Sequence, residues 1–236
     1  MPITLLQART EVRALLDESS ANFWTDDQIN SWLNQGCEDI ARRAEILWQE
    51  VPINVTPLIQ SYPFPADFLN VHRAEFTLVQ NGVSSDQTFN LEYRGINQMD
   101  EIWGILHSLP AAWPQYFTIR GNSVLGFYLT MYPSPGSSGV LLVYYYRQAV
   151  AATSDMTNLD IMPGWEDIVY DYAFYKAKRK AQDPQWQQGL QLYEKNLQMM
   201  IDKTRNMTDQ GEQITTGIPQ WPIYAYGGEG TGMDGW

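Results

Sequence analysis

Apolar residues recur at three- and four-residue steps near both ends of the chain and at two-residue steps in its middle. This pattern predicts helices, then strands, then helices. Residues 4–18 predict a first helix with Leu5, Val12, Leu15 and Leu16 on one side. After a loop, Trp24-Thr25-Asp26-Asp27-Gln28-Ile29 reads as a helix start. The Thr25 side chain can accept from the Gln28 N–H while the Gln28 side chain reaches back to Thr25. This is a capping box, flanked by Trp24 and Ile29 in staple positions, and the two aspartates complement the positive helix end. Ile29, Trp32, Leu33, Ile40, Ala44, Leu47 and Trp48 carry the stripe onward until Val51-Pro52 stops it.

From Glu50 to Ala152 the helical period disappears and short β-rich runs stand between Pro, Gly and Asn breaks. The candidate strands are 51–55, 61–64, 71–79, 88–91, 116–120, 124–132 and 140–146, with hairpin turns at Asn81-Gly82 and Gly121-Asn122. Residues 124–132 alternate, setting Leu125, Phe127, Leu129 and Met131 against Val124, Gly126, Tyr128, Thr130 and Tyr132, as in a sheet with one buried face. A short helix fits Ile96 to Trp103. Strands of this number and spacing favour a small sandwich or barrel.

Pro163 to Arg205 is the longest periodic stretch and holds every lysine of the chain. Pro163 suits a first helical position, and Asp183-Pro184 must break or kink the helix. Ile168, Tyr172, Tyr175 and Arg179 line one face, followed by Trp186, Leu190, Tyr193, Leu197, Met200 and Ile201. The second segment, roughly 20 residues and about 30 Å long, needs a partner for its stripe, and residues 4–48 offer one. The predicted fold class is therefore α+β. A helical bundle is made from both chain ends, 1–49 and 153–207. An antiparallel β-sandwich or barrel is inserted at 50–152, and an extended C-terminal arm runs from 208 to 236. The arm is rich in Gly and Pro yet carries Ile218, Trp221, Ile223, Tyr224, Tyr226 and Trp236. Such residues are costly to leave in water, so the arm either folds back on its own domain or docks on another chain, the reading its aromatic anchors favour.

Charge sharpens the picture. The net charge is −12, and residues 163–205 hold seven of the 15 basic and six of the 27 acidic side chains, leaving the remainder strongly acidic. An acidic surface disfavours tight binding to phosphates and suits either plain solubility or a path that DNA slides along. No apolar run reaches the length of a membrane span, and the first residues show no signal peptide. The single cysteine, Cys37, cannot form an internal disulfide and reads as a buried thiol of a protein folding in a reducing cytosol. His72 and His107 stand in no metal-ligand spacing. Acid pairs such as Asp26/Asp27, Glu38/Asp39 and Asp100/Glu101 are sequence neighbours, pointing apart on a helix. No catalytic set, metal site or cofactor site is expected.

The motifs, taken in order, resemble the head-to-tail adaptor (connector) proteins of tailed bacteriophages, of the short-tailed-phage tubular type. The resemblance rests on Trp24 to Ile29, on Asn34 with Ile40-Ala41, and on Tyr62, Pro65, Asp67 and Phe68. It continues in Tyr132 to Pro135, Val143 to Tyr146, Pro163 to Asp167, and Tyr172-Ala173 running into a lysine-rich turn. It implies a structural virion protein, not an enzyme. Such a protein is assembled in the host cytoplasm into a ring, commonly of twelve copies, between the portal protein and the tail nozzle protein. DNA passes through the channel without specific binding, and no membrane is involved. It also implies that the arm, through Ile218, Trp221, Ile223, Tyr224, Tyr226 and Trp236, grips the portal. The competing reading is an acidic, aromatic-rich glycan-binding module of a phage tail. A hydrolase using Asp100 and Glu101 is a third.

Overall fold

The structure, a computed structural model, describes residues 2–18, 23–80, 83–99, 112–122 and 126–215, with backbone alone at 80, 83–87, 122 and 205–215. Helix α1 (Leu5–Leu15) opens on a capping box between Thr4 and Gln7. Helix α2 (Asp26–Ala44) opens on the one expected between Thr25 and Gln28. The apolar stripe of α2 suggested a helix reaching Trp48. Instead Glu45 takes a left-handed conformation (φ 50°) and ends it, and Trp48 begins the first strand. On α1 the buried positions are Leu5, Ala8, Arg9, Val12 and Arg13, whereas Leu15, expected inside, is half exposed.

The strands are β1 (Trp48–Val55), β2 (Ser61–Pro63), β3 (Phe68–Gln80), β4 (Val83–Tyr93), β5 (Tyr116–Asn122), β6 (Gly126–Tyr132) and β7 (Gly139–Arg147). They form one sheet in the order β1-β7-β3-β4-β5-β6-β2. It is mixed rather than antiparallel throughout, because β4 and β5 pair in parallel at Glu92↔Tyr116 and Tyr93↔Phe117. A long connection separates these two strands, which is what a parallel neighbour requires. The expected turn at Gly121-Asn122 is instead the end of β5, where Gly121 faces Phe127 across the ladder. A Cβ at Gly121 would lie 2.7 Å from the Phe127 ring, so a side chain there would have to displace that ring. The Asn81-Gly82 turn lies outside the described residues, although its flanks Gln80 and Val83 pair. Of the helix expected over 96–103, residues 96–99 are helical (α3) and the rest lies outside the described residues.

The sheet residues close over an apolar cluster of Val55, Tyr62, Phe64, Phe68, Ala74, Phe76, Leu78, Leu91, Phe117, Leu129, Met131, Leu141, Val143 and Tyr145. In β6 the expected alternation is only partial. Leu129, Thr130, Met131 and Tyr132 are all buried, and Phe127 is exposed. Thr130 is buried on the opposite face because Ser61 and Thr118 flank it on the neighbouring strands β2 and β5.

The chain returns to helix at α4 (Glu166–Lys180) and α5 (Trp186–Thr215), so residues 208–215, expected as the start of an extended arm, continue the helix, and 216–236 lie outside the described residues. Pro163 stands before α4 rather than at its first position, since Gly164 turns the backbone at φ 90°. The break at Asp183-Pro184 is present. Asp183 accepts from the Gln185 N–H and from Lys178, closing an antiparallel helical hairpin in which Asn196 reaches Asp171. A second apolar cluster contains Leu5, Val12, Ile29, Leu33 and Ile40 together with Ile168, Val169, Tyr172, Tyr193, Leu197 and Met200. At Gly36 the α2 backbone passes so close to α4 that an added Cβ would sit 3.2 Å from Tyr172 and Val169.

Candidate interaction surfaces

The polar residues buried between the elements act as clamps. Arg9 donates to both carboxylate oxygens of Asp155 (2.9 and 3.1 Å) and to Asn30. Arg13 donates to the Trp24 carbonyl, Glu18 and Asp26. Its hydrogen bond to Asp26 holds that carboxyl below its ordinary range. Sequence reading missed both arginines. Their signal was the 5-8-9-12-13 spacing of α1, which places two cations in an otherwise apolar stripe. Asn34 pairs with the Ala152 backbone in both directions, Nδ2 to carbonyl at 3.0 Å and N–H to Oδ1 at 2.8 Å.

Two further clamps join distant segments. Arg147, at the end of β7, donates to both oxygens of Asp160, which also accepts from the Val150 N–H. Burial pushes the Asp160 carboxyl up, and those hydrogen bonds outweigh it, leaving it below the usual carboxylate range. Between α2 and α5, Tyr193 donates to Asp39 at 2.6 Å and Arg43 forks onto Glu194. Burial, and then Asp39, push the Tyr193 hydroxyl far up, so it stays a donor. The acid pairs Asp26/Asp27 and Glu38/Asp39 thus sit at helix caps and in ion pairs. Asp100, Glu101 and His107 lie outside the described residues. Cys37 is buried, and loss of solvent pushes its thiol up to about 12, far from the reactive range. Among the described residues no cluster of His, Cys, Asp and Glu could hold a metal, and no helix is long and apolar enough to cross a membrane.

A groove of ≈ 460 Å³ opens where the outer face of the sheet meets the helices. Trp48, Tyr146 and Tyr144 supply its rings, Arg73 lies over the Tyr144 ring at 4.3 Å, and Met162 and Thr204 close the helical side. Trp48 is 63% exposed, an unusual state for a tryptophan of a regular strand. His72 lies edge-on to Tyr146 at this rim. The six aromatic and aliphatic positions predicted for docking, Ile218, Trp221, Ile223, Tyr224, Tyr226 and Trp236, all lie outside the described residues.

Several residues that carried the resemblance turn out to be structural joints. Thr25 caps α2 and Asn34 holds the 152 segment. Asp67 accepts from the Tyr145 hydroxyl, and Tyr62 ties the β1–β2 loop. Buried arginines thus stand at element junctions of an α+β fold, and exposed rings stand on a face of its sheet. The match to known families narrows this. The chain belongs to the SU10 adaptor protein family, whose pattern covers residues 3–217, consistent with a phage head-to-tail adaptor. No curated protein matches the chain.

Proposed function

We propose that this chain is a structural virion protein that forms a ring between the portal protein and the tail nozzle protein. The family match over residues 3–217 carries this reading. Its finer parts have separate support. The helices of both chain ends form the body that makes lateral contacts, as their shared buried cluster suggests. The net charge of −12, multiplied around a ring of twelve copies, gives an acidic channel that repels phosphate and lets DNA pass without binding. The arm at 208–236 grips the portal through Ile218, Trp221, Ile223, Tyr224, Tyr226 and Trp236, the apolar anchors of an otherwise polar, glycine-rich segment.

The test is to mix the chain with portal rings and measure mass by light scattering after size exclusion. A ring-sized complex is expected with the full chain and none with a chain lacking 215–236. Equal binding by the shortened chain would take the grip away from the arm. Persistent monomer of the full chain would remove the adaptor reading itself. The exposed Trp48 beside Tyr144 and Tyr146 favours a glycan-binding reading as the alternative, and an empty glycan array would remove that one.

A further inference from the structure

The groove beside Trp48 offers aromatic surface rather than charge. Trp48 stands opposite Tyr146 across the β1–β7 ladder, and Tyr144 follows two residues away on β7, so the three rings share one face of the sheet. The charged groups at the groove already have partners. Glu45 accepts from the Asn70 side chain at 2.8 Å, and Arg73 is bridged to Glu75 at 3.1 Å. What remains is three rings, an indole N–H and two hydroxyls, with Trp48 largely exposed to water.

The chain has a segment of matching chemistry. Residues 213–228 contain no Asp, Glu, Lys, Arg or His, and within them runs Ile218-Pro219-Gln220-Trp221-Pro222-Ile223-Tyr224. Pro219 and Pro222 are the only two prolines of the chain spaced three apart. That spacing sets both on one edge of a polyproline II helix, which turns once in about 3 residues and leaves its carbonyls without internal partners. Aromatic-lined grooves take such segments, because rings stack on the prolines and donors on the rings reach the carbonyls. The reach is sufficient. Thr204 of α5 forms the helical wall of the groove, and α5 runs on to Thr215. From Thr204 to Thr215 the helix advances about 16 Å. An extended chain covers roughly that distance again between Thr215 and Gln220.

We propose that the Pro219–Pro222 stretch of the chain's own C-terminal segment seats in the groove formed by Trp48, Tyr144 and Tyr146. An uncharged, proline-spaced segment meets a groove whose charges are already matched, and Trp221 leaves water together with Trp48. The tether favours this occupant over a free one, since a segment joined to the groove's own wall is present at an effective concentration in the mM range for a short linker, roughly. The inference stands apart from the portal reading but bears on it. Trp221 cannot sit in the groove and grip the portal at once, so the groove is a resting seat from which the portal draws the arm.

The test uses the full chain carrying Thr204→Cys and Gln220→Cys, kept dilute and treated with a short bismaleimide. Neither replacement removes a ring or a proline, and the native Cys37 is buried and does not compete. The expected result is a link within one chain, located by mass spectrometry. Adding Trp48→Ala, or Pro219→Ala with Pro222→Ala, should slow the link by roughly tenfold, with circular dichroism checking that each variant is folded. Equal rates in these variants would show that the tether alone brings the cysteines together and would overturn the proposal. A link found only between two chains would do the same. Portal binding separates this inference from the adaptor reading. Trp48→Ala frees the arm and should tighten binding to portal rings several-fold. Weaker binding would place Trp48 in the portal contact and overturn the resting seat. Portal binding that needs the arm, with no link in the double-cysteine chain, would remove the groove assignment alone. A link that loses to Trp48→Ala in a chain that never binds the portal would support the groove assignment and remove the portal grip.

Discussion

The helical cluster and the sheet cluster hold together by different means. Around the helices, Arg9, Arg13 and Arg43 each reach across to another element and meet carboxylates there. Within the sheet, the described ion pairs Arg73–Glu75 and Arg94–Glu92 join neighbours on one strand or its end. Rings and hydroxyls do the joining instead. Phe64 stacks on Phe68 at 3.9 Å, Tyr145 donates to Asp67 and Tyr62 ties its loop. The difference follows from geometry. A sheet satisfies its backbone through its own ladder and needs only apolar filling, whereas helices that meet side by side have no such ladder and are fixed by side-chain pairs.

Three measurements would break or sharpen this contrast. The largest effect belongs to the sheet. Phe76 is almost fully buried, and Phe76→Ala should cost roughly 3–5 kcal/mol in urea unfolding followed by circular dichroism. A loss below about 1 kcal/mol would mean the sheet does not depend on its rings.

The junction comes next. Arg147→Met should cost about 1.5–3 kcal/mol, the worth of hydrogen bonds to a charged group, and should alter the pH profile. Asp160 has a depressed folded pKa, so its contribution is present above the ordinary carboxylate value of about 4 and is lost as pH falls through the folded value. The variant should therefore show a flatter acid limb. An unchanged acid limb would show that this clamp contributes nothing through its charge.

The smallest effect is local. Thr25→Ala removes one side of the capping box and should cost about 1 kcal/mol, read as a shift in thermal midpoint. No shift would show that the α2 start is held by the Trp24 and Ile29 packing alone.

What the residues reveal depends on how far apart the interacting groups lie. The α2 start was legible because Thr25 and Gln28 are three residues apart, and the break at Asp183-Pro184 because proline acts on its own turn. Most strands were visible as β-rich runs, with ends displaced by a few residues. The groove was not visible, since Trp48, Arg73, Tyr146 and Thr204 come from four segments that nothing local connects. Trp48 even looked like part of a helix, because its spacing continues the α2 stripe and the left-handed turn at Glu45 carries no glycine to signal it.

By itself the sequence determined the helix–strand–helix order, the cap that begins α2 and the motif order that placed the chain among adaptors. All of these are set by neighbours within a few positions or by their succession. Only the tertiary structure decided that Arg9 and Arg13 are buried among distant carboxylates, that β5 lies parallel to β4, and that Trp48, Tyr144 and Tyr146 line one groove with Met162 and Thr204. Those outcomes depend on which segments meet after the chain has closed long loops, and no short-range pattern encodes that choice.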